Sequence, residues 1–226
     1  KKVIPSPDVE DVRALLRVIY VYVPLPVFWS LFDQHSSKWI FQAKEMNLTL
    51  FGDVTIIAEQ VQVLNPLLML IMLPIFDRVV FPLARRCGLP LTPLIHKMVP
   101  GFLLTVLSFV VSGIVQTIIN QNPPGTVHVA WIIPQFLIMS CGEVLVSVTG
   151  LEFSYSQAPK SMKALVMSSW LVAIALGNIL VVIISKIPIP NRAIEYFVYA
   201  ALMFCSVVIF FFMARGFQYK NTREGA

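Results

Sequence analysis

Residues 101–119 read GFLLTVLSFVVSGIVQTII, nineteen consecutive residues without a charged side chain. An α-helix rises about 1.5 Å per residue, so about 20 apolar residues cross the roughly 30 Å hydrocarbon core of a bilayer. The residues do not alternate between apolar and polar, as those of a transmembrane β-strand do. The stretch therefore predicts a membrane-spanning α-helix.

Similar apolar runs lie on both sides of this one. Hydrophobic residues make up 57% of the 226-residue chain and charged residues only 13%, about half the share usual in soluble domains. We therefore predict an all-α membrane protein with a six-helix bundle over 12–217, a lead-in at 1–11 and a tail at 218–226. The spans are expected at about 12–34, 57–85, 94–119, 129–155, 161–185 and 193–214.

The placement of the basic residues predicts the orientation in the membrane. Connections containing Lys38, Lys44, Lys186 and Arg192 share one face, which leaves 13 of the 17 lysines and arginines on the other. The positive-inside rule assigns the richer face, and with it both termini, to the cytoplasm. The net charge of +5 is not gathered into a basic stripe with interleaved aromatic residues, so no nucleic-acid partner is expected.

The outward connections contain Asn47-Leu48-Thr49, the only N-x-S/T sequon with a non-proline middle residue. Asn47 is thus a candidate glycosylation site, and it favours a surface protein of the plasma membrane. The three cysteines have no metal-ligand spacing, so no metal site is predicted.

Ionisable side chains inside a span cost about 3 kcal/mol or more, so they usually face a cavity or a partner. Five such residues are candidates for function: Arg17, Asp33, Asp77, Glu143 and Glu152.

Glu143 belongs to a polar stripe whose members lie three or four positions apart on one side of a helix: Ser140, Glu143, Ser147, Gly150 and Ser154. The remaining positions, among them Leu145, Val146, Val148 and Leu151, are expected to face lipid, so the stripe should face the bundle interior. A packing seam of small residues would also explain the glycine and serines. It would not explain a carboxylate near the middle of the membrane, and we therefore favour a cavity.

A second stripe runs along the outer half of the first span and contains Pro26, Trp29 or Ser30, Asp33 and Ser37. The neighbouring aromatic residues Phe28, Trp29 and Phe32 are candidates to wall a pocket for apolar side chains. They fit an interfacial aromatic belt equally well, and spacing alone does not choose between the two.

Arg17 and Asp77 lie at matching depths, roughly 7–12 Å inside the cytoplasmic ends of their spans. An ion pair between them would form a gate element near the cytoplasmic mouth. The alternative is that Arg17 extends alone to the membrane surface.

Two stretches resemble a known family. Residues 24–34, PLPVFWSLFDQ, are similar to the seventh helix of the animal peptide transporters, and residues 142–159, GEVLVSVTGLEFSYSQAP, followed by Met162-Lys163, to their tenth helix and the turn after it. Weaker similarity, including residues 74–77 and 177–178, extends over nearly the whole chain. The chain thus resembles the C-terminal half of a proton-coupled oligopeptide transporter, a POT, of the major facilitator superfamily.

The resemblance implies a fold of two inverted three-helix repeats that enclose half of a central cavity. By the same resemblance, Glu143 meets the amino terminus of the peptide, and Asn65 lies near the same end. Trp29 and Trp170 wall pockets for the peptide side chains. Ser147 from the first stripe, and Phe28 and Phe32, which flank the second, complete the predicted substrate-binding set.

The resemblance also implies roles outside the binding set. Arg17 and Asp77 match a pair linked to cytoplasmic gating, and Asp33 matches an acid near the outer gate that takes part in proton coupling. His35 stands where the family usually has glutamine, and it would either add pH sensitivity at the outer mouth or be an exposed residue without function. Residues 120–127 are short where vertebrate members carry a large extracellular domain.

The leading hypothesis is a proton-driven symporter of di- and tripeptides, of which these 226 residues supply the C-terminal bundle. Its partners are the peptide, protons, the lipid bilayer and the N-terminal six-helix half of the family, which these residues do not include. The alternative is a half-length membrane protein that binds or regulates an intact transporter. No cofactor other than the proton as coupling ion is expected, nor is an enzyme, since neither Gly-x-Ser-x-Gly nor His-Glu-x-x-His occurs.

The asymmetry of basic residues predicts that the Asn47 connection faces outward and that both termini face the cytoplasm. Epitope tags at either end should be labelled only after cells are permeabilised, while a cysteine placed beside Asn47 should react in intact cells. Labelling of the terminal tags in intact cells would show that the predicted orientation is wrong.

Overall fold

The structure is a computed structural model, and it describes residues 7–88, 94–159 and 161–217. Its α-helices within these ranges are α1 Pro7–Val21, α2 Leu25–Lys44, α3 Leu64–Ile75, α4 Phe81–Arg86, α5 Leu94–Gln121, α6 Ile133–Glu143, α7 Thr149–Gln157, α8 Lys163–Ser185 and α9 Arg192–Gly216. Two short antiparallel strands, β1 Thr49–Phe51 and β2 Val54–Thr55, form a hairpin.

Several of these helices are continuous with one another. Wide π-helical turns at Phe76–Val80 and Val144–Val148 join α3 to α4 and α6 to α7. In the described residues, the continuous helices long and apolar enough to cross a bilayer are Ala58–Arg86, Leu94–Gln121, Val129–Gln157, Lys163–Ser185 and Arg192–Gly216. With α1 and α2, which together make one bent span, they confirm the predicted all-α fold with six spans.

The first span differs from the single helix expected at 12–34. It bends by 44° between α1 and α2, and α2 continues to Lys44. Pro24 has no backbone N–H group. The adjoining residues form tight turns with hydrogen bonds between residues three positions apart, in which Tyr22 N–H donates to Ile19 O and Leu25 N–H to Tyr22 O. Ser206 Oγ donates to the Pro24 carbonyl at 3.3 Å, so α9 satisfies an acceptor that the break exposes.

The helices α6 and α7 approach α5 closely at a pair of glycines. A Cβ atom on Gly101 would lie 2.7 Å from Val146 Cγ2 and 2.8 Å from Leu145 Cβ, and one on Gly142 would lie 2.9 Å from Gly101 O. Leu145 and Val146 are consequently 8% and 0% exposed, so their predicted lipid-facing position is wrong. The π-helical turn adds a residue to the helical turn at this point, which a regular period does not anticipate. Val148 is 43% exposed, as expected.

Three ion pairs cluster at the end of the bundle assigned to the outside. Lys38 Nζ lies 2.7 Å from Glu195 Oε1, Lys44 Nζ lies 2.8 Å from Glu59 Oε1, and the Arg192 guanidinium lies 2.5 Å from Glu45 Oε1. Tyr199 donates a hydrogen bond of 2.6 Å to Glu195. Because Lys38 and Glu195 are largely buried, this pair holds α2 to α9.

The close approach at Gly101 predicts that Gly101→Ala destabilises the bundle. The added methyl group would force α5 away from α6 and α7, at a cost of about 1–3 kcal/mol. Thermal unfolding in detergent measures this, with Gly216→Ala as the matched control because a Cβ there meets no atom within 4 Å. Equal melting temperatures for the two variants would contradict the packing described.

Candidate functional site

Glu143 is bonded to a neighbouring helix. The Asn65 side-chain amide donates a hydrogen bond of 3.2 Å to Glu143 Oε2, and Ser140 Oγ donates one of 2.9 Å to Asn65 Oδ1. Asn65 lies in the first turn of α3, whereas Ser140 and Glu143 lie three positions apart on α6 and so share a face. The two residues expected near the amino terminus of a peptide are therefore in direct contact.

The Glu143 carboxylate is only half-buried. Its pairing partner is a neutral amide, and within the described part of the chain no lysine or arginine forms an ion pair with it. Oε1 has no hydrogen-bond partner among the described residues. The site can thus accept a hydrogen bond or a positive charge from a ligand on its open side.

Ser147 lies in the π-helical turn that follows Glu143. Its Oγ is buried and has no hydrogen-bond partner among the described residues. A buried hydroxyl without a partner is costly, and such turns are frequent at functional sites. The hydroxyl is therefore available to a ligand that reaches this turn.

An aromatic cluster of α2 and α8 packs against Gly150 on α7, further along the helical span that contains Glu143. The rings of Trp29 and Trp170 meet edge to face with centroids 6.1 Å apart, and Phe32 lies 5.7 Å from Trp29. Two glycines permit this packing, because a Cβ on Gly150 would lie 2.6 Å from Trp170 Cη2 and one on Gly177 would lie 2.7 Å from Trp29 Cβ. The indole Nε1 of Trp29 is buried without a partner among the described residues.

The other aromatic candidate, Phe28, has no exposed surface. Its ring packs 5.7 Å from Phe102 and 5.3 Å from Trp29. Phe28 therefore supports the cluster from behind, whereas the half-buried rings of Trp29 and Phe32 form its accessible side.

The expected ion pair between Arg17 and Asp77 is absent from the described residues, and both side chains are exposed. The prediction of a contact in this conformation is therefore wrong. Two residues at the same depth need not lie on neighbouring helices. Arg17 is on α1, which packs on α7, α8 and α9. Asp77 follows α3, which packs on α6. Their role in gating stays a prediction from family resemblance.

Asp33 lies on α2, half-buried, one turn beyond Trp29 and on the same side of the helix. Within the described residues it forms no ion pair. Asp33 is therefore a second acid without a cationic partner inside the bundle. Glu152, the remaining intramembrane acid, is exposed on α7.

Sequence reasoning missed two buried charges near span ends. Lys97 is 8% exposed with its ammonium 4.7 Å from the Phe81 ring centroid, and Glu195 is 8% exposed beside Lys38. The sequence did contain a signal for the pair of Lys38 and Glu195, because the two residues carry opposite charges at the outer ends of the first and sixth spans. His35 is also buried, at 5% exposure, with Nδ1 within hydrogen-bonding reach of Phe32 O, so the alternative of an exposed His35 is wrong, and its pH sensitivity stays a prediction.

The Asn47 sequon lies between α2 and the hairpin. The backbone of Asn47 pairs with Val127 and Val129, and its side-chain Oδ1 accepts a hydrogen bond from Thr49 N–H at 3.0 Å. Asn47 is half-buried. Its modification stays a prediction.

A six-span bundle with a half-open polar site between its helices is the architecture of a membrane transporter. The PTR2 model of the POT family matches residues 2–193 of the chain. The chain belongs to the POT family, and its fold is that of the C-terminal bundle of a major facilitator superfamily transporter.

Relatives and solved structures agree with this assignment. Human Solute carrier family 15 member 2 is 41% identical over 148 residues, which cover 66% of this chain and 20% of that protein. Human Solute carrier family 15 member 1 is 24% identical over 406 aligned positions, covering 96% of this chain and 57% of that protein. A crystal structure of an auto-inhibited POT family peptide transporter is 34% identical with a TM-score of 0.86, and covers 97% of this chain and 45% of that one.

The chain thus spans only part of the length of the curated relatives it matches, 20% and 57% for these two. The alignment to Solute carrier family 15 member 1 is longer than the 226 residues of this chain, so that relative has additional residues within the matched region. The matched proteins are transporters, and the chain belongs to a family of transporters rather than of enzymes.

Proposed function

We propose that this chain is the C-terminal half of a proton-coupled symporter of di- and tripeptides and contributes half of its central cavity. The observation that carries the proposal is the hydrogen-bonded group of Asn65, Ser140 and Glu143, whose carboxylate lies inside a membrane span without a cationic partner in the described residues. A peptide ammonium group would supply the missing positive charge.

The spacing between the carboxylate and the aromatic cluster suits a short peptide. Gly150, which contacts Trp170, lies seven residues beyond Glu143, or about 10 Å along a helix. An extended peptide spans about 3.5 Å per residue, so two or three residues fill this distance. With its ammonium at Glu143, such a peptide would place apolar side chains beside Trp29 and Trp170.

Aromatic walls suit a carrier that accepts many side chains, because apolar contact is not directional. The unpartnered Oγ of Ser147 lies one turn from Glu143 and offers a hydrogen bond to the peptide backbone. The backbone is the part that all peptides share, so this contact would not restrict the sequence transported.

Proton coupling is assigned to Asp33, a half-buried carboxyl group without an ion-pair partner in the described part of the chain. Intramembrane acids of this kind form proton relays in pumps and transporters.

The proposal predicts a selective loss on Glu143→Gln in the transporter formed by this chain and a family N-terminal half. Uptake of ordinary dipeptides should fall about tenfold or more, because the ammonium loses a charge-assisted partner. Analogues without the amino group should bind nearly as before. Radiolabelled uptake, corrected for surface expression, measures the effect.

Glu152→Gln is the matched control, since it removes the same charge from an exposed position on the continuation of the same helix. It should leave uptake of both ligand classes within about twofold of the unsubstituted protein. Equal losses for amino and des-amino ligands in Glu143→Gln would show that Glu143 acts in folding or proton flow and not in docking.

A further inference from the structure

The two ends of the bundle hold their cations differently. At the end assigned to the outside, Lys38, Lys44 and Arg192 each meet a carboxylate within 2.8 Å. At the end that carries both termini, none of the described lysines and arginines forms an ion pair. Lys163 and Arg215 instead lie over aromatic rings, 3.8 Å from the Tyr155 centroid and 4.2 Å from the Phe211 centroid.

Two adjoining cavities lie at this end, next to α1 and close to the C-terminal end of α9. A polar cavity of about 270 Å³ is lined by Arg13, Arg17, Gln157 and Glu10, among others. Arg13 and Arg17 lie one helical turn apart and therefore face the same side of α1. Glu10 is the one carboxylate in the described lining, and it forms no ion pair with either arginine.

The second cavity, of about 460 Å³, shares Arg17 with the first. Its described lining is otherwise mainly apolar and includes Leu16, Tyr20, Phe212 and Met213. Leu16, Tyr20 and Phe212 are 58%, 59% and 66% exposed, so the cavity opens at the surface of the bundle. A guanidinium-lined cavity thus continues into an apolar groove near the end of the bundle that carries both termini.

We infer that these cavities bind an anionic phospholipid, with its phosphate at Arg13 and Arg17 and an acyl chain along Leu16, Tyr20 and Phe212. Guanidinium groups bind phosphate oxygens through pairs of parallel hydrogen bonds. Neither Arg13 nor Arg17 forms an ion pair with a carboxylate of the described residues, so both guanidinium groups are available to a phosphate. The cytoplasmic leaflet is rich in anionic lipid, and basic groups near its surface attract that lipid. The inference is independent of peptide transport, and only the identity of the leaflet depends on the predicted orientation.

A peptide segment is a less suitable occupant. The lining combines two cations with an apolar wall open at the surface of the bundle, and a phospholipid presents the complementary anion and chain in one molecule. Free phosphate would satisfy the arginines alone and leave the apolar groove without a ligand.

Native mass spectrometry of the full 226-residue chain tests this inference. After incubation in detergent with equal amounts of dioleoylphosphatidylglycerol and dioleoylphosphatidylcholine, the chain should retain the anionic lipid preferentially. Arg13→Gln with Arg17→Gln should lower its retention about 30-fold. Arg13→Lys with Arg17→Lys, which keeps the charge but loses the paired hydrogen bonds, should retain the anionic lipid more weakly than the unsubstituted chain and more strongly than the glutamine variant.

Arg85→Gln with Arg86→Gln is the matched control, because it removes two exposed charges at the same end outside the cavities. It should change retention by less than threefold, and Leu16→Gln with Phe212→Gln should weaken binding without a change of charge. Equal losses for both arginine pairs, no preference for the anionic lipid, or full competition by glycerol phosphate alone would each overturn the site. Thermal unfolding of every variant separates lost binding from lost structure.

Discussion

The hydrogen bond between Asn65 and Glu143 joins α3 to α6 inside two helices that are long and apolar enough to cross a bilayer. Inserting an ionisable side chain into the middle of a membrane span costs about 3 kcal/mol or more of free energy unless neighbouring polar groups pair with it. This requirement turns the polar stripe of the fourth span inward and brings Asn65 against it. It also explains the open side of the site, because one carboxylate oxygen has no partner within the described residues and remains for a ligand.

The distribution of ion pairs gives the bundle one fixed end. Lys38 and Glu195 hold α2 to α9, and Gln116 donates to Glu45 at 2.7 Å, which ties α5 to the same region. The backbone break after Val21 separates α1 from the α2 segment that these contacts hold. A change in the angle of α1 therefore need not disturb the outer contacts, which is the behaviour expected of a hinge.

The sequence predicted the fold and the inward-facing side of the fourth span because both depend on strong local signals. Uninterrupted apolar runs predicted six spans, and a carboxylate among small residues predicted an inward-facing stripe, in which Ser140 and Ser154 are fully buried. Features that depend on tertiary contact were missed. The burial of Leu145 and Val146 requires Gly101 on another helix, and the burial of His35 requires Trp39 and Phe136 around it. Arg17 and Asp77 lie at the same predicted depth but on helices that pack on different neighbours, and depth alone does not predict which helices are adjacent.

The account depends on this chain forming half of a proton-driven peptide cavity. The most direct test measures dipeptide uptake by proteoliposomes that contain residues 1–226 joined to a family N-terminal six-helix half, under an inward proton gradient. The account predicts uptake well above that of either half alone, and loss of that excess when a protonophore dissipates the gradient. Equal uptake by residues 1–226 alone, or uptake by the joined protein that does not respond to the gradient, would contradict it.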